Sequence, residues 1–297
     1  MASRCQVSVL DDLSSGKQAN LDALAPRIRF IQGDIRDPAA LKAAAAGCEV
    51  IFHLAAVVSV PKTAEDPLGS AAVNETGSLQ VLEAARAAKA RRVVFASSSA
   101  VYGDEPTLPK REDMSPRPLT PYAVQKLAVE YYLQVYHSLY GLETTGLRFF
   151  NVFGPRQDPS SPYSGVISIF ITQALRGAPP VIYGDGRQSR DFVYVKDVVE
   201  ALISAATSPS APGRVFNVGT GESVTINALW ERIAALSGFE ATPVHEAPRP
   251  GDVLRSLAAI DSARAELGFV PCVSFGQGLE LTMDWYRKSR AAGERMD

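Results

Sequence analysis

The sequence predicts an α/β fold: a doubly wound parallel sheet with a smaller second domain after it. Three observations predict it. Short apolar runs near residues 6–10, 29–35, 50–56 and 93–96 each end in acidic, small or hydroxyl-bearing residues, as buried parallel strands do where they deliver side chains to a cleft. Longer segments of helical period lie between and after them, at 41–46, 68–90 and 120–140, and strands alternating with helices build a parallel sheet. After Asn151 the alternation gives way to the turn-rich run Gly154 Pro155 Arg156 Gln157 Asp158 Pro159 Ser160 Ser161 Pro162, which marks entry into a different domain. The division falls at residues 1–153, with 214–225 returning to the sheet, and 154–297.

The bulk numbers narrow the class. A chain of 297 residues, 46% of them hydrophobic, supports a substantial core. A formal charge of -2 and a pI near 6.0 leave no basic excess for a nucleic acid backbone. No apolar run approaches membrane-spanning length, so the expectation is a cytoplasmic protein with neither nucleic acid nor membrane as partner. Cys5, Cys48 and Cys272 are too widely spaced to suggest a disulfide framework or a metal site.

The first strand ends in Asp11 and Asp12, then a polar loop, Leu13 to Lys17, follows. In a dinucleotide-binding sheet an acidic residue at such a strand end accepts hydrogen bonds from the adenosine ribose; an acidic cap is the alternative for Asp11. The run Val50 Ile51 Phe52 His53 Leu54 Ala55 Ala56 is a strand with small residues at its exit, where a dinucleotide can approach the backbone. His53 reads as a structural strand residue. The strand through Val93 Val94 Phe95 Ala96 ends at Ser97 Ser98 Ser99, and a helix follows from Thr120 Pro121, a cap and a first-turn proline. On that helix Tyr122 and Lys126 lie one turn apart on one face. A phenol with an ordinary pKa near 10 is a poor base at neutral pH, and a fixed ammonium one turn away favours the phenolate. Ser98 is then the hydroxyl that orients the same substrate oxygen. Further on, residues 166–175 form a helix, Val181 Ile182 Tyr183 a strand, Gly219 Thr220 Gly221 a turn before a capped helix reaching Ser237, and 261–267 and 275–290 two closing helices.

Ser98 at a strand end, Tyr122 and Lys126 at a helix start, and the downstream run Leu147 Arg148 Phe149 Phe150 Asn151 Val152 Phe153 Gly154 Pro155 together resemble the NAD-dependent epimerase/dehydratase family. This is the extended branch of the short-chain dehydrogenases/reductases, and the nucleotide-sugar 4-epimerases in particular. The resemblance covers most of the chain, from about Val7 to Tyr286. It implies a Rossmann-type sheet, NAD as cofactor, and Ser98, Tyr122 and Lys126 as the catalytic residues. Cofactor contacts are implied at Asp11, Asp12, Leu13, Asp34, Ile35, Leu54, Ala55, Ala56, Asn74, Tyr122, Lys126 and Phe150, with Asn74 and Gly77 in the pattern Val-Asn-x-x-Gly. Substrate contacts are implied at Ser98, Ser99, Asn151, Val166, Val181, Tyr183, Arg190, Arg249, Asp252 and Ser256. Arg190 and Arg249 make physical sense as guanidinium clamps on a diphosphate. No metal is implied.

One departure from the family stands out. Its first strand, glycine-rich turn and helix should precede Asp11 by about twenty residues, yet only ten residues precede it and none is glycine. The sheet is therefore expected to lack its first strand-helix unit.

As to the reaction, the family's dehydratases and decarboxylases carry acidic residues beside the catalytic hydroxyl, whereas Ser98 is followed here by Ser99 and Ala100. The expectation is inversion of C4 of a UDP-sugar through a transient 4-keto sugar. Ser256 leaves room for a 2-acetamido group, so UDP-N-acetylglucosamine is favoured over UDP-glucose. A dehydratase or decarboxylase, or a non-enzymatic remnant that binds UDP-sugar or a partner, are the alternatives. The apolar faces of the 68–90 and 120–140 helices resemble those that pair in a four-helix homodimer interface; burial within the domain is the other account.

Overall fold

The computed structural model describes residues 5–159, 165–248 and 253–291. The chain divides into two compact units. One takes the described residues up to Ser97 with Thr120–Leu147 and Ala205–Val215; the other takes Ser98–Leu119, Arg148–Ser204 and the described residues from Phe216 onward.

In the first unit, strands β1 (Val7–Asp11) and β2 (Ile28–Gln32) run parallel, Val7 opposite Ile28 and Asp11 opposite Gln32. Helix α1 (Pro38–Ala45) starts at Asp37, whose carboxylate accepts from Ala39 N at 2.8 Å, and leads to β3 (Val50–His53). Short helices α2 (Val60–Glu65) and α3 (Pro67–Ala71), each with a proline in its first turn, then enter a π-helical turn at Ala72–Gly77 that continues as α4 (Ser78–Ala87). The sequence reads residues 68–90 as one long helix; the π turn within it is the difference, and such turns cluster at functional sites.

Strand β4 (Arg92–Ser98) is buried from Arg92 through Ser97, as expected of an inner strand of a parallel sheet. Helix α5 (Pro121–Tyr140) is capped by Thr120 Oγ1, which accepts from Ala123 N at 3.2 Å, and ends at Gly141 with φ of 67°. Val93 and Phe95 of β4 pack with Leu82 and Ala85 of α4 and with Val129, Leu133 and Tyr136 of α5, so helix and strand share one core. A second cluster joins Leu10 of β1, Ile51 of β3, Leu41 of α1 and Val81 of α4.

Strand β5 (Glu143–Phe149) follows, then β6 (Asn151–Phe153), α6 (Val166–Arg176), β7 (Val181–Tyr183), β8 (Ser189–Arg190), β9 (Phe192–Tyr194) and α7 (Val195–Thr207). Strand β10 (Arg214–Val218) returns to the sheet, and β11 (Val224–Thr225), α8 (Ile226–Ser237), β12 (Val244–Glu246), α9 (Asp261–Leu267) and α10 (Phe275–Ala291) complete the chain. Helix α7 has no counterpart in the sequence reading. Val195, Val198, Val199 and Ile203 favour strand by propensity, but buried Val198, Ala201, Leu202, Ala205 and Ala206 recur at helical spacing.

The larger sheet has the order β10-β5-β4-β3, while β1 and β2 form a separate pair. A doubly wound sheet of order 3-2-1-4-5-6 places the strand preceding β1 between β1 and β3, and no described strand lies there. The residues of β1 are only half-buried, unlike those of β4. The second unit is held by Phe153, Phe170, Phe192, Tyr194, Trp230, Phe275 and neighbouring aliphatics. Around this core lie the pairs β6 with β9, β7 with β12 and β8 with β11.

Candidate active site

Helix α5 brings its functional side chains to β4 along one face. Lys126 is 3% exposed and its Nζ donates to the carbonyl oxygen of Ala96 at 2.8 Å. The same nitrogen lies 4.7 Å from the ring centre of Phe95 and 5.8 Å from that of Tyr122. Burial pushes the Lys126 ammonium down to about 7. The sequence reading treats this residue as a fixed cation; desolvation instead leaves it poised between its two forms at neutral pH. One turn beyond, buried Glu130 accepts from Ser97 Oγ at 2.5 Å. Tyr122, Lys126 and Glu130 thus repeat at i, i+4 and i+8, the last two bonding successive residues of β4. Ser98, next along the strand, accepts from Ala100 N at 3.2 Å and opens the 3-10 turn Ser99–Tyr102.

The π turn aims Asn74 inward. Its Oδ1 accepts from Val57 N at 2.7 Å, and its Nδ2 donates to Val57 O at 3.0 Å and to Gln125 Oε1 at 2.7 Å. Gln125 Nε2 in turn donates to Ser70 Oγ at 2.9 Å. The Asn74 side chain is therefore committed to the loop after β3 and to α5. His53 is buried 2.8 Å from Ser78 Oγ, and that hydroxyl donates to Asn74 O at 2.6 Å, which makes His53 Nε2 the donor between them. Burial, then the charge of Lys126, pushes His53 down to about 3, so the ring is neutral.

Strands β1, β2 and β3 end in the residues assigned to the cofactor. Asp11 accepts from Leu13 N at 2.7 Å, and a Cβ on Gly16 would lie 2.8 Å from its Oδ1, so the loop folds closely over this carboxylate. Leu13 takes a left-handed φ of 60°, and Asp12 accepts from Ser14 N and Oγ. The Arg36 guanidinium, 2.6 Å away, holds the Asp34 carboxyl below its ordinary range. Ile35 is buried against Gly77, where a Cβ would come within 2.7 Å of Ile35 Cδ1. Leu54 and Ala55 are exposed beyond β3 and Ala56 half-buried. The acidic end of β1 and the small residues Ala55 and Ala56 after β3 fit the ribose and a close backbone approach by a dinucleotide. No glycine-rich turn joins a strand directly to a helix among the described residues, so no residue is assigned to the pyrophosphate.

In the second unit, Asn151, Arg190 and Ser256 are drawn together by main-chain bonds: Asn151 N to Asp191 O at 3.0 Å and Ser256 N to Ser189 O at 3.1 Å. Arg190 is half-buried and its Nη1 donates to Ser189 O at 3.0 Å. Tyr183 O accepts from Gln188 Nε2 at 2.7 Å, Val181 pairs with Val244, and Val166 opens α6. Phe150 is buried, its N donating to Val218 O at 3.0 Å. Arg249 and Asp252, with Ser160, Ser161 and Pro162 of the turn-rich run, lie outside the described residues. Sequence reasoning missed Gln125, Glu130 and Asp191. Glu130 could have been found from its helical spacing to Tyr122 and Lys126; no local signal marks Asp191.

A parallel α/β sheet with a Tyr–Lys pair one helical turn apart, the lysine seated on an inner strand end, defines the class of the extended short-chain dehydrogenases/reductases. The chain belongs to the NAD dependent epimerase/dehydratase family, whose sequence profile matches residues 1–219. It is 42% identical over 283 residues to a UDP-glucose 4-epimerase of Mycolicibacterium smegmatis, covering 94% of this chain and 90% of that one. A dTDP-glucose 4,6-dehydratase of Streptomyces niveus is 33% identical, covering 98% and 86%. Among solved structures, a UDP-N-acetylglucosamine 4-epimerase from Methanobrevibacter ruminantium in complex with UDP-N-acetylmuramic acid superposes with a TM-score of 0.92 at 41% identity, covering 96% and 91%. A UDP-glucose 4-epimerase of Thermus thermophilus in complex with NAD gives 0.87 at 38%, covering 96% and 92%.

Proposed function

We propose that the chain is a UDP-sugar 4-epimerase acting on UDP-N-acetylglucosamine, UDP-glucose or both, with Tyr122 as its acid and base. The observation that carries this reading is the seat of Lys126: a buried amine fixed to Ala96 O, one turn from Tyr122. In its charged form Lys126 favours the phenolate of Tyr122, which takes the proton of the sugar 4-hydroxyl and later returns it. NAD, when bound, supplies reversible acceptance of the hydride from sugar C4. Ser98 is assigned the hydrogen bond to the reacting oxygen. Asp11, Asp12, Leu13, Asp34 and Ile35 are assigned to the adenosine half of the cofactor, and Leu54, Ala55, Ala56 and Phe150 to its approach. Asn74 acts on the cofactor through the loop it grips.

Arg190 and Arg249 are assigned to the diphosphate and Asn151, Ser99, Val166, Val181, Tyr183 and Asp252 to the rest of the sugar nucleotide. Ser256 leaves space beside the sugar, which supports the 2-acetamido substrate. The absence of a carboxylate at Ser99 and Ala100 supports epimerisation over dehydration or decarboxylation. Incubation of the purified protein with NAD and UDP-N-acetylglucosamine, UDP-glucose or UDP-glucuronate, followed by proton NMR, tests the reading. Epimerisation gives the C4 epimer; dehydration would give a 4-keto-6-deoxy sugar, decarboxylation a pentose from UDP-glucuronate alone, and a protein that only binds would give no product.

The assembly proposed is a homodimer through α4 and α5. Val124, Tyr131, Val135 and Leu139 form an apolar stripe on α5 that is 43–71% exposed, and contiguous exposed apolar surface marks association. Among the described residues no helix is long and apolar enough to cross a membrane. The proposed location is the cytoplasm.

A further inference from the structure

Asp191 is completely buried, between β8 and β9, yet it is a carboxylate. Taking such a group out of water is costly unless hydrogen bonds replace its hydration. Four do: Oδ1 accepts from Thr220 N at 2.8 Å and Thr220 Oγ1 at 2.7 Å, and Oδ2 from Gly221 N at 3.0 Å and Ala258 N at 3.1 Å. A Cβ on Gly219 would sit 2.9 Å from Oδ2, so the turn closes directly over the carboxylate. Its main-chain oxygen accepts from Asn151 N at 3.0 Å.

These bonds gather the segments that carry three of the proposed substrate contacts. Asn151 hangs from the Asp191 carbonyl, and Arg190 is its chain neighbour in an extended stretch, where successive side chains point to opposite faces. Ser256 belongs to a segment that runs parallel to β8, with Ser189 bridged to Arg255. Ser189 donates through its N–H to Leu254 O at 2.9 Å and accepts through its carbonyl from Ser256 N at 3.1 Å, and the Asp191 carboxylate extends that ladder to Ala258 N. An apolar core residue would serve packing as well; it could not hold two loops to one strand through their amides.

We propose that Asp191 is a positioning residue of the sugar-nucleotide site, holding Arg190, Asn151 and Ser256 in register to receive the diphosphate of a nucleoside diphosphate. The inference rests on the proposed assignment of Arg190 to substrate. Disconnecting the carboxylate therefore weakens nucleotide binding out of proportion to any loss of fold.

The test is titration calorimetry of the full chain with UDP alone, beside thermal melts of each variant. R190A should bind UDP at least tenfold more weakly than wild type; equal binding would overturn the parent assignment of Arg190. D191N places an amide among N–H donors, and a weakening of at least tenfold below its melting temperature is expected. T220V removes the hydroxyl's bonds to Asp191 and to Glu222 while leaving Thr220 N on the carboxylate, and it decides the matter if D191N does not fold. It should bind UDP about threefold or more weakly, while T220S binds as wild type. If R190A loses affinity but T220V, or a folded D191N, melts lower and binds UDP as wild type, Asp191 is structural only and the inference is overturned.

Discussion

Lys126 Nζ lies 2.8 Å from the main-chain oxygen of Ala96, with its ammonium almost wholly out of water. The contact fixes the amine and its burial lowers its pKa, so the group assigned to favour the Tyr122 phenolate is itself titratable near neutrality. Its folded value of about 7 lies below its ordinary 10.5. Between these values the unfolded chain holds a proton that the native state lacks, so stability rises with pH across the window. Lys126→Met should remove that rise and make the protein at pH 6 more stable than wild type by about 1 kcal/mol or more. Chemical denaturation at pH 6, 8 and 10 checks it. Turnover of Lys126→Met should fall by about 100-fold or more.

Tyr122→Phe removes one oxygen from a half-buried ring and leaves the helix intact. The expected outcome is a kcat about 100- to 10,000-fold lower, with the affinity for UDP unchanged. NMR progress curves and calorimetry measure the two sides of this prediction.

Asn74 satisfies both main-chain groups of Val57 and the amide oxygen of Gln125. Asn74→Ala leaves all three without this partner; the buried Gln125 oxygen costs about 1–3 kcal/mol and the half-buried Val57 groups less. A shift of the urea midpoint to lower concentration, with NAD affinity reduced alongside, is expected.

The apolar stripe on α5 predicts a sedimenting mass twice that of the 31.8 kDa chain. Leu139→Glu, at a position 71% exposed in the single chain, should return the protein to the monomer mass, since the two-fold symmetry would bury two carboxylates in each dimer.

How far the sequence can be read depends on how local each signal is. Tyr122 and Lys126 were legible because helical period alone sets their spacing, and Asp11 because a strand end is visible as an apolar run that stops. The π turn was not, since the Asn74 pattern looks the same in a regular helix; its inward aim depends on Val57 and on Gln125, 17 and 51 residues away. Asp191 was still less legible, its carboxylate partners lying 29, 30 and 67 residues along the chain. The burial that shifts Lys126 is likewise a property of Phe95 and β4 packed against α5, which no spacing rule records.

If Tyr122 and Lys126 serve inversion at C4 of a UDP-sugar, the hydrogen that leaves C4 must return to it. UDP-N-acetylglucosamine or UDP-glucose carrying deuterium at C4 would be incubated with the purified protein and NAD, and the products followed by NMR. Wild type should give the 4-epimer with deuterium still on C4, and Tyr122→Phe the same product about 100- to 10,000-fold more slowly. Deuterium moved to C6 in a 4-keto-6-deoxy product, or unchanged sugar in the presence of protein-bound NAD, would contradict inversion at C4.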